Sequence, residues 1–194
     1  MARLPYADLE HAPQHIQAAF EELPRLRLFR MLAHAESVFG ASIEFGRAIL
    51  ADLELDSKLR ELAILQLSRQ ADARYEWVQH VDIGKKFGVG DDQIAAIERG
   101  QIDDARVFDE LERAVLAFTR EVVAGPTVTD GTFAAVYSVL TPREIVELLY
   151  TLGNYMMIAR VMTVLQIEID RPIGSAVVDA AADEHGHLRP GPWP

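Results

Sequence analysis

Glu76 and His80 are the residues whose types and spacing most directly suggest chemistry. They stand four positions apart, so on an α-helix they share one face, about 40° apart around the axis. An imidazole and a carboxyl group at this spacing can hydrogen-bond to each other or meet on one ligand. Together they can supply an acid and a base near neutral pH. The same spacing is common on solvated helix faces, so the pair alone leaves a structural interpretation open.

Glu61 is the third candidate, because it lies within the otherwise apolar segment 59–67. A carboxylate in such a segment either lies at a solvent edge or is buried with a partner. The nearby cations that could pair with a purely structural Glu61 are Arg60, Arg74 and Lys58. The sequence therefore indicates either a catalytic carboxylate or a buried ion pair.

A shared site of all three residues requires the chain to reverse direction between positions 70 and 74. In one continuous helix, Glu61 and Glu76 would lie about 22 Å apart at 1.5 Å per residue. Asp72 is a plausible cap for a second helix in this stretch. No glycine or proline stands there to enforce the break.

Composition excludes several kinds of site. Of the 194 residues, 49% are hydrophobic and 25% are charged, as in a globular protein. Cysteine is absent, which rules out disulfides, iron–sulfur clusters and cysteine nucleophiles. No second histidine stands at ligand spacing from His80, so we expect no metal site.

Charge and hydropathy limit the expected partners and location. The net charge is −11 and no basic run occurs, so we expect no nucleic-acid partner. Residues 1–20 lack the apolar core of a signal peptide. Residues 148–159 are apolar but too few to span a bilayer, and we expect a buried core helix there. These features predict a soluble cytoplasmic protein without a membrane partner.

Helical periodicity recurs along the chain and predicts an all-α fold. Residues 1–24 should form an arm with a short helix, 25–172 one helical domain, and 173–194 a loose tail. Asp91 and Asp103 or Asp104 are expected N-caps, and Thr141 opens a capping box with Pro142. The expected helices cover 14–22, 25–35, 37–50, 57–70, 73–87, 92–98, 104–123, 130–140 and 142–169.

Two segments, 59–65 (LRELAIL) and 74–80 (RYEWVQH), resemble the carboxymuconolactone decarboxylase family, which includes the alkylhydroperoxidase D-like proteins. Its peroxidase branch has Glu, eleven residues, Cys, two residues, Cys, three residues and His. On this chain the pattern falls on Glu61, Ala73, Glu76 and His80 without a gap. The resemblance covers roughly residues 25–170. It implies an alkylhydroperoxidase D-like helical bundle with additional N-terminal helices.

The departures from that pattern place the chain in a cysteine-less, decarboxylase-like branch. Without the two cysteines, thiol peroxidase chemistry has no nucleophile. The resemblance implies a cofactor-free lyase that acts on a small organic acid or lactone, in a homo-oligomer built from dimers and reaching a hexamer. His80 would protonate the carbanion carbon left after decarboxylation, with Glu76 or Glu61 orienting the imidazole or acting as a second acid or base.

Five further residues are candidate substrate contacts. Arg74, Tyr75 and Trp77 flank the Glu76–His80 pair, although aromatic residues at such positions more often pack in a core. His34 and Arg30 stand four apart and either line the same pocket or form a plain helix face. A second function remains open, namely a non-catalytic homo-oligomeric binding or scaffold protein that keeps the fold.

Overall fold

The computed structural model describes residues 1–174, and within this range nine α-helices and no strand occur. The predicted all-α class is therefore confirmed. The helices are α1 Gln14–Glu22, α2 Arg27–Leu32, α3 Glu36–Ala51, α4 Ser57–Gln70, α5 Arg74–Lys86, α6 Asp91–Arg99, α7 Glu110–Ala124, α8 Asp130–Tyr137 and α9 Pro142–Leu165.

Capping side chains explain where several helices begin. The Asp56 carboxylate accepts hydrogen bonds from the backbone N–H groups of Lys58 and Leu59 at the start of α4. Thr141 forms the predicted capping box with Glu144 at the start of α9.

Two predicted caps were wrong. Gly90, not Asp91, precedes α6. α7 begins only after Asp109, which caps it in a box with Glu112, rather than at Asp103 or Asp104. The Asp104 carboxylate instead binds the backbone and side chain of Arg106 within a turn.

α4 is the central element of the core. It packs against α5, α6, α7 and α9, and Leu62 to Leu65 and Leu67 are fully buried. A helix surrounded on every side can hold a charged residue only if that residue has internal partners. This burial sets the environment of Glu61.

The α4–α5 connection is a Schellman motif with aspartate at the position usually taken by glycine. Asp72 has φ of 52°. The Ala73 N–H donates to the Ser68 carbonyl at 2.8 Å, and the Asp72 N–H donates to the Arg69 carbonyl at 3.4 Å. Asp72 therefore makes the reversal through its left-handed backbone. The sequence had suggested that Asp72 caps α5, and this prediction was wrong. The reversal lays α5 back against α4.

α9 is amphipathic and only partly buried, which corrects the expectation of a buried core helix. Leu148 and Leu152 are fully buried in the main core, whereas Leu149 and Tyr150 on the opposite face are exposed. By length and composition alone α9 is also the one helix of the described range that could cross a membrane, a test that core helices pass as well.

The C-terminal end of the described chain lies across α2 and α5. α9 ends at Leu165 instead of near Ile169. Beyond it, the Asp170 carboxylate accepts hydrogen bonds from the Tyr75 hydroxyl at 2.7 Å and from the Arg27 backbone N–H at 2.7 Å. The predicted tail, 173–194, lies almost entirely outside the described residues.

Candidate functional site

A buried chain of polar contacts joins α4 to α5. The His80 Nδ1 lies 2.8 Å from Oε2 of Glu61, and the Arg60 Nε donates to Oε1 of the same carboxylate at 3.0 Å. Glu61 is fully buried, Arg60 is 1% exposed and His80 is 7% exposed. The reversal at Asp72 thus brings together Glu61 and His80, which are nineteen positions apart in sequence.

Arg60 is held by several partners besides Glu61. Its guanidinium donates to the Leu50 carbonyl at 3.0 Å and stacks over the Phe87 ring, 5.0 Å from the centroid. A guanidinium fixed in this way gives the Glu61 carboxylate a permanent counter-charge. Of the structural partners considered for Glu61, the structure selects Arg60.

The pKa of Glu61 is lowered despite its complete burial. Burial by itself raises the pKa of a carboxyl group, but the charge and hydrogen bond of His80, with those of Arg60, outweigh it. Glu61 is therefore ionised near neutral pH, and it accepts the hydrogen bond from the Nδ1–H of His80.

The pKa of Glu76 is displaced in the opposite direction. It is 3% exposed, and burial raises its pKa well above the ordinary value, opposed weakly by a hydrogen bond from the Ser68 hydroxyl at 3.4 Å. Its Oε1 has no hydrogen-bond partner among the described residues. Glu76 is thus a buried carboxylic acid that keeps its proton to a higher pH than a solvated glutamate.

Glu76 and His80 line one cavity of about 120 Å³. This volume approaches that of an engineered apolar cavity, roughly 150 Å³, that binds benzene. The sequence left two alternatives for Glu76 and His80, a hydrogen bond to each other or contact with one ligand. The structure supports the second, because the His80 hydrogen bond goes to Glu61. The other polar side chains that line the cavity are Glu22, Ser42, Arg47, Tyr75, Gln79, Asn154 and Tyr155.

Tyr155 of α9 fixes the plane of the imidazole. Its ring stands edge-on to His80, with centroids 4.9 Å apart and an angle of 87° between the planes. Burial raises the pKa of Tyr155 well above its usual range, and the charge of the Glu61 carboxylate raises it further. Tyr155 is therefore a neutral wall of the site and lies near both carboxyl groups.

Of the five predicted substrate contacts, only Tyr75 lines the cavity. Its hydroxyl is committed to Asp170, and burial raises its pKa. Trp77 is buried in the main core instead, because the next helical position after Glu76 is rotated by about 100°. Arg74 is exposed at the start of α5.

Arg30 and His34 also lie away from the cavity, which corrects the expectation that they line it. The Arg30 guanidinium donates to the Ala7 carbonyl at 3.0 Å and stacks over Tyr6. The exposed His34 side chain has its Nε2 at 2.7 Å from the Pro5 carbonyl. Both residues bind the N-terminal arm, whose course the sequence did not predict. Arg160 of α9 is also exposed and donates to the Met156 carbonyl rather than to Glu61 or Glu76.

Sequence reasoning missed Arg47, Tyr155 and Asn154 as cavity residues. Arg47 had a usable signal, because it is the one cation in the otherwise apolar stretch 45–51 of α3. Tyr155 and Asn154 had none, since they reach the site from α9, about eighty positions after Glu76. No group of three or more His, Cys, Asp or Glu residues that could hold a metal occurs within residues 1–174.

Comparison with known proteins gives one family match and several proteins with a similar fold. Residues 36–121 match the carboxymuconolactone decarboxylase family. A peroxidase-related protein with an alkylhydroperoxidase AhpD core from Ralstonia eutropha JMP134 superposes with a TM-score of 0.73 and 20% identity, over 92% of this chain and 96% of that one. A peroxidase-related protein from Silicibacter sp. TM1040 gives 0.71 and 15%, over 87% and 90% of the two chains.

The debrominase Bmp8 has the same fold, with a TM-score of 0.72 and 14% identity over 90% of this chain and 94% of its own. Among curated proteins none matches the sequence significantly. At these identities the superpositions establish the fold, and the matched segment spans Glu61, Glu76 and His80. Residues 36–121, somewhat less than half of the chain, are therefore similar to the carboxymuconolactone decarboxylase family, and the chain carries no cysteine.

Proposed function

We propose that the protein is a cofactor-free enzyme of the lyase or decarboxylase type that moves a proton between His80, Glu76 and a carbon atom of a small organic acid or lactone. One observation carries the proposal. Two buried carboxyl groups beside one imidazole have pKa values displaced in opposite directions, Glu61 downward and Glu76 upward. Environments that separate two pKa values in this way assign one group as base and the other as acid.

Each group has a distinct role in this mechanism. The Glu61 carboxylate accepts the Nδ1–H of His80 and fixes the tautomer, so that Nε2 is the atom that exchanges a proton with substrate. Glu76 supplies a proton, which burial helps it to keep because the neutral form is favoured. When a carboxyl group leaves as carbon dioxide, the electron pair that remains forms an enolate or dienolate. Protonation of its carbon by Glu76, or by Nε2 of His80 when the ring carries a second proton, gives the product, and water then returns a proton to the donor.

Thiol chemistry is not available to this chain. The full sequence has no cysteine, so reactions that need a thiolate nucleophile have no residue to perform them. The two cysteine positions of the peroxidase branch hold Ala73 and Glu76. At the second of these positions, the carboxyl group of Glu76 stands where the peroxidase branch has a thiol.

We also propose that the protein assembles as a homo-oligomer through the exposed face of α9. This face presents a row of large apolar side chains, which monomeric proteins seldom leave in contact with water. They are Val146, Leu149, Tyr150, Met157 and Val164. A mass of 21.6 kDa by light scattering at all concentrations would contradict this assembly. The non-catalytic scaffold remains the competing function, and a cytoplasmic location remains a prediction.

The test of the proposed function is turnover in D₂O. A screen of small acids and lactones identifies a substrate, and the wild-type product should then carry deuterium at one carbon. His80→Ala and Glu76→Gln should each lower turnover by roughly 10²- to 10⁴-fold while the protein stays folded. His34→Ala is the matched control, since this exposed histidine lies away from the cavity. Near-normal turnover of folded His80→Ala would show that the site is elsewhere.

A further inference from the structure

Arg47 is a buried cation in the wall of the cavity. It lies on α3 and is 7% exposed, and it lines the same space as Glu76 and His80. Among the described lining residues it is the one Arg or Lys side chain. Burial of a guanidinium is costly unless anionic groups face it. The cavity therefore has a permanent positive group that the proton-transfer mechanism does not use.

Carboxylates close to Arg47 are placed so that an anionic ligand can replace them. The Glu22 and Glu44 carboxylates lie 3.6 and 3.9 Å from the guanidinium. Charge-assisted hydrogen bonds are shorter, about 2.7–2.9 Å, so these contacts are loose ion pairs. The Glu22 side chain is 56% exposed and can turn into solvent at little cost.

The remaining wall is mostly apolar and comes largely from the N-terminal segment. The side chains that this segment contributes are Leu23, Pro24, Leu26, Leu28, Phe29 and Leu32. All six precede residue 36, where the family match begins. Because Arg47 is the one Arg or Lys among the described lining residues, a second anionic group on a ligand would have no permanent counter-charge, and the apolar side chains and the Glu22 carboxylate oppose it.

We infer that Arg47 is the specificity-determining residue of the cavity and binds the carboxylate of a compact monoanion, with Glu22 as the counter-ion that the ligand displaces. The apolar wall takes an uncharged body about the size of a five- or six-membered ring. Dianions are excluded. The inference rests on the proposed function for the role of the cavity but concerns binding alone.

Three matched probes test it, furan-2-carboxylate, furan-2-carboxamide and furan-2,5-dicarboxylate, by calorimetric titration and by the shift in melting temperature. The monoanion should bind wild-type protein roughly ten- to a hundredfold more tightly than the amide or the dianion. Arg47→Gln should remove this preference. Arg120→Gln makes the same charge change at an exposed position that does not line the cavity, and should keep it. Glu22→Gln should tighten monoanion binding by up to about fivefold.

Arg47→Lys guards against a folding defect, because it keeps the charge but loses the two-pronged geometry and should retain a weakened preference. Equal binding of the three probes to wild-type protein, no binding of the monoanion, or an unchanged preference in folded Arg47→Gln would each overturn the inference. His80→Ala separates the two proposals, since it should lose turnover but keep the preference for the monoanion over the amide and the dianion. If His80→Ala also keeps normal turnover, the proposed function fails while the Arg47 inference stands.

Discussion

The Glu76→Gln variant should become increasingly more stable than the wild-type protein as pH rises. The folded-state pKa of Glu76 lies above its unfolded value, because burial penalises the charged form. Between these two pKa values the folded state binds a proton that the unfolded state has lost. Stability contributed by the neutral acid is therefore complete below the unfolded pKa and is lost as pH rises toward the folded pKa.

The slope fixes the size of the effect. One proton of difference changes the free energy of unfolding by about 1.4 kcal/mol per pH unit. Glutamine is a near-isosteric side chain that does not titrate. From about pH 5 upward, the free energy of unfolding of the variant should therefore exceed that of the wild type by roughly that amount for each pH unit. For a chain of this size this corresponds to about 3–6 °C in melting temperature per pH unit. The gain should level off once pH passes the folded-state pKa.

The assay is urea unfolding at a series of pH values for both proteins, supported by thermal melts. Glu98→Gln is the control, because Glu98 is an exposed glutamate on α6 and makes the same chemical change. The free energy of unfolding of Glu98→Gln, plotted against pH, should run parallel to that of the wild type. If the Glu76→Gln curve also runs parallel to the wild type, Glu76 titrates like a solvated carboxyl group and the assignment of the acid is refuted.

Further outcomes are expected for Glu61, for Asp72 and for the proposed chemistry. Glu61→Gln should destabilise the protein by roughly 3–5 kcal/mol at neutral pH, because it leaves the Arg60 guanidinium buried without its counter-charge; an unfolding curve within 1 kcal/mol of wild type, about the noise of such differences, would contradict this. Because the folded-state pKa of Glu61 is lowered, its contribution should be present above the unfolded pKa and disappear as pH falls through the folded one. Asp72→Gly should stabilise the protein by about 0.5–1 kcal/mol, since the residue has φ of 52°, and a loss in chemical-denaturation midpoint would argue against the Schellman turn. Activity should survive exhaustive chelation, and peroxide reduction with a dithiol should be undetectable; stoichiometric metal with activity lost on its removal would overturn the first, and thiol-dependent turnover the second.

Local signals in the sequence predicted much of the fold. Asp56 and the Thr141 capping box begin helices where expected, because each of those signals acts within three or four residues. Asp103 and Asp104 failed as helix starts, since the Asp104 carboxylate is used in a local turn with Arg106 and the Asp103 carboxylate in a tertiary contact with Arg120. Asp72 was placed at the right turn with the wrong role, because its backbone angle, rather than its side chain, makes the reversal.

The site was predicted where its residues lie on one helix or match the family spacing, as for Glu61, Glu76 and His80. The opposite pKa displacements of the two carboxyl groups could not be predicted, since they depend on His80 and Arg60 contacting Glu61 and on the burial of Glu76. Arg47 and Tyr155 reach the cavity from distant helices. Their role follows from packing, which pattern and spacing do not encode.

The proton on Glu76 is the most direct test of the account. Infrared difference spectroscopy of the protein at pH 7 can detect the carbonyl stretch of a buried protonated carboxylic acid, which ionised carboxylates lack. We predict one such band in wild-type protein that is lost in Glu76→Gln and kept in Glu61→Gln. If wild-type protein has no protonated carboxyl band at this pH, or if the band disappears in Glu61→Gln instead, the assignment of Glu76 as the acid and Glu61 as the ionised partner of His80 is wrong.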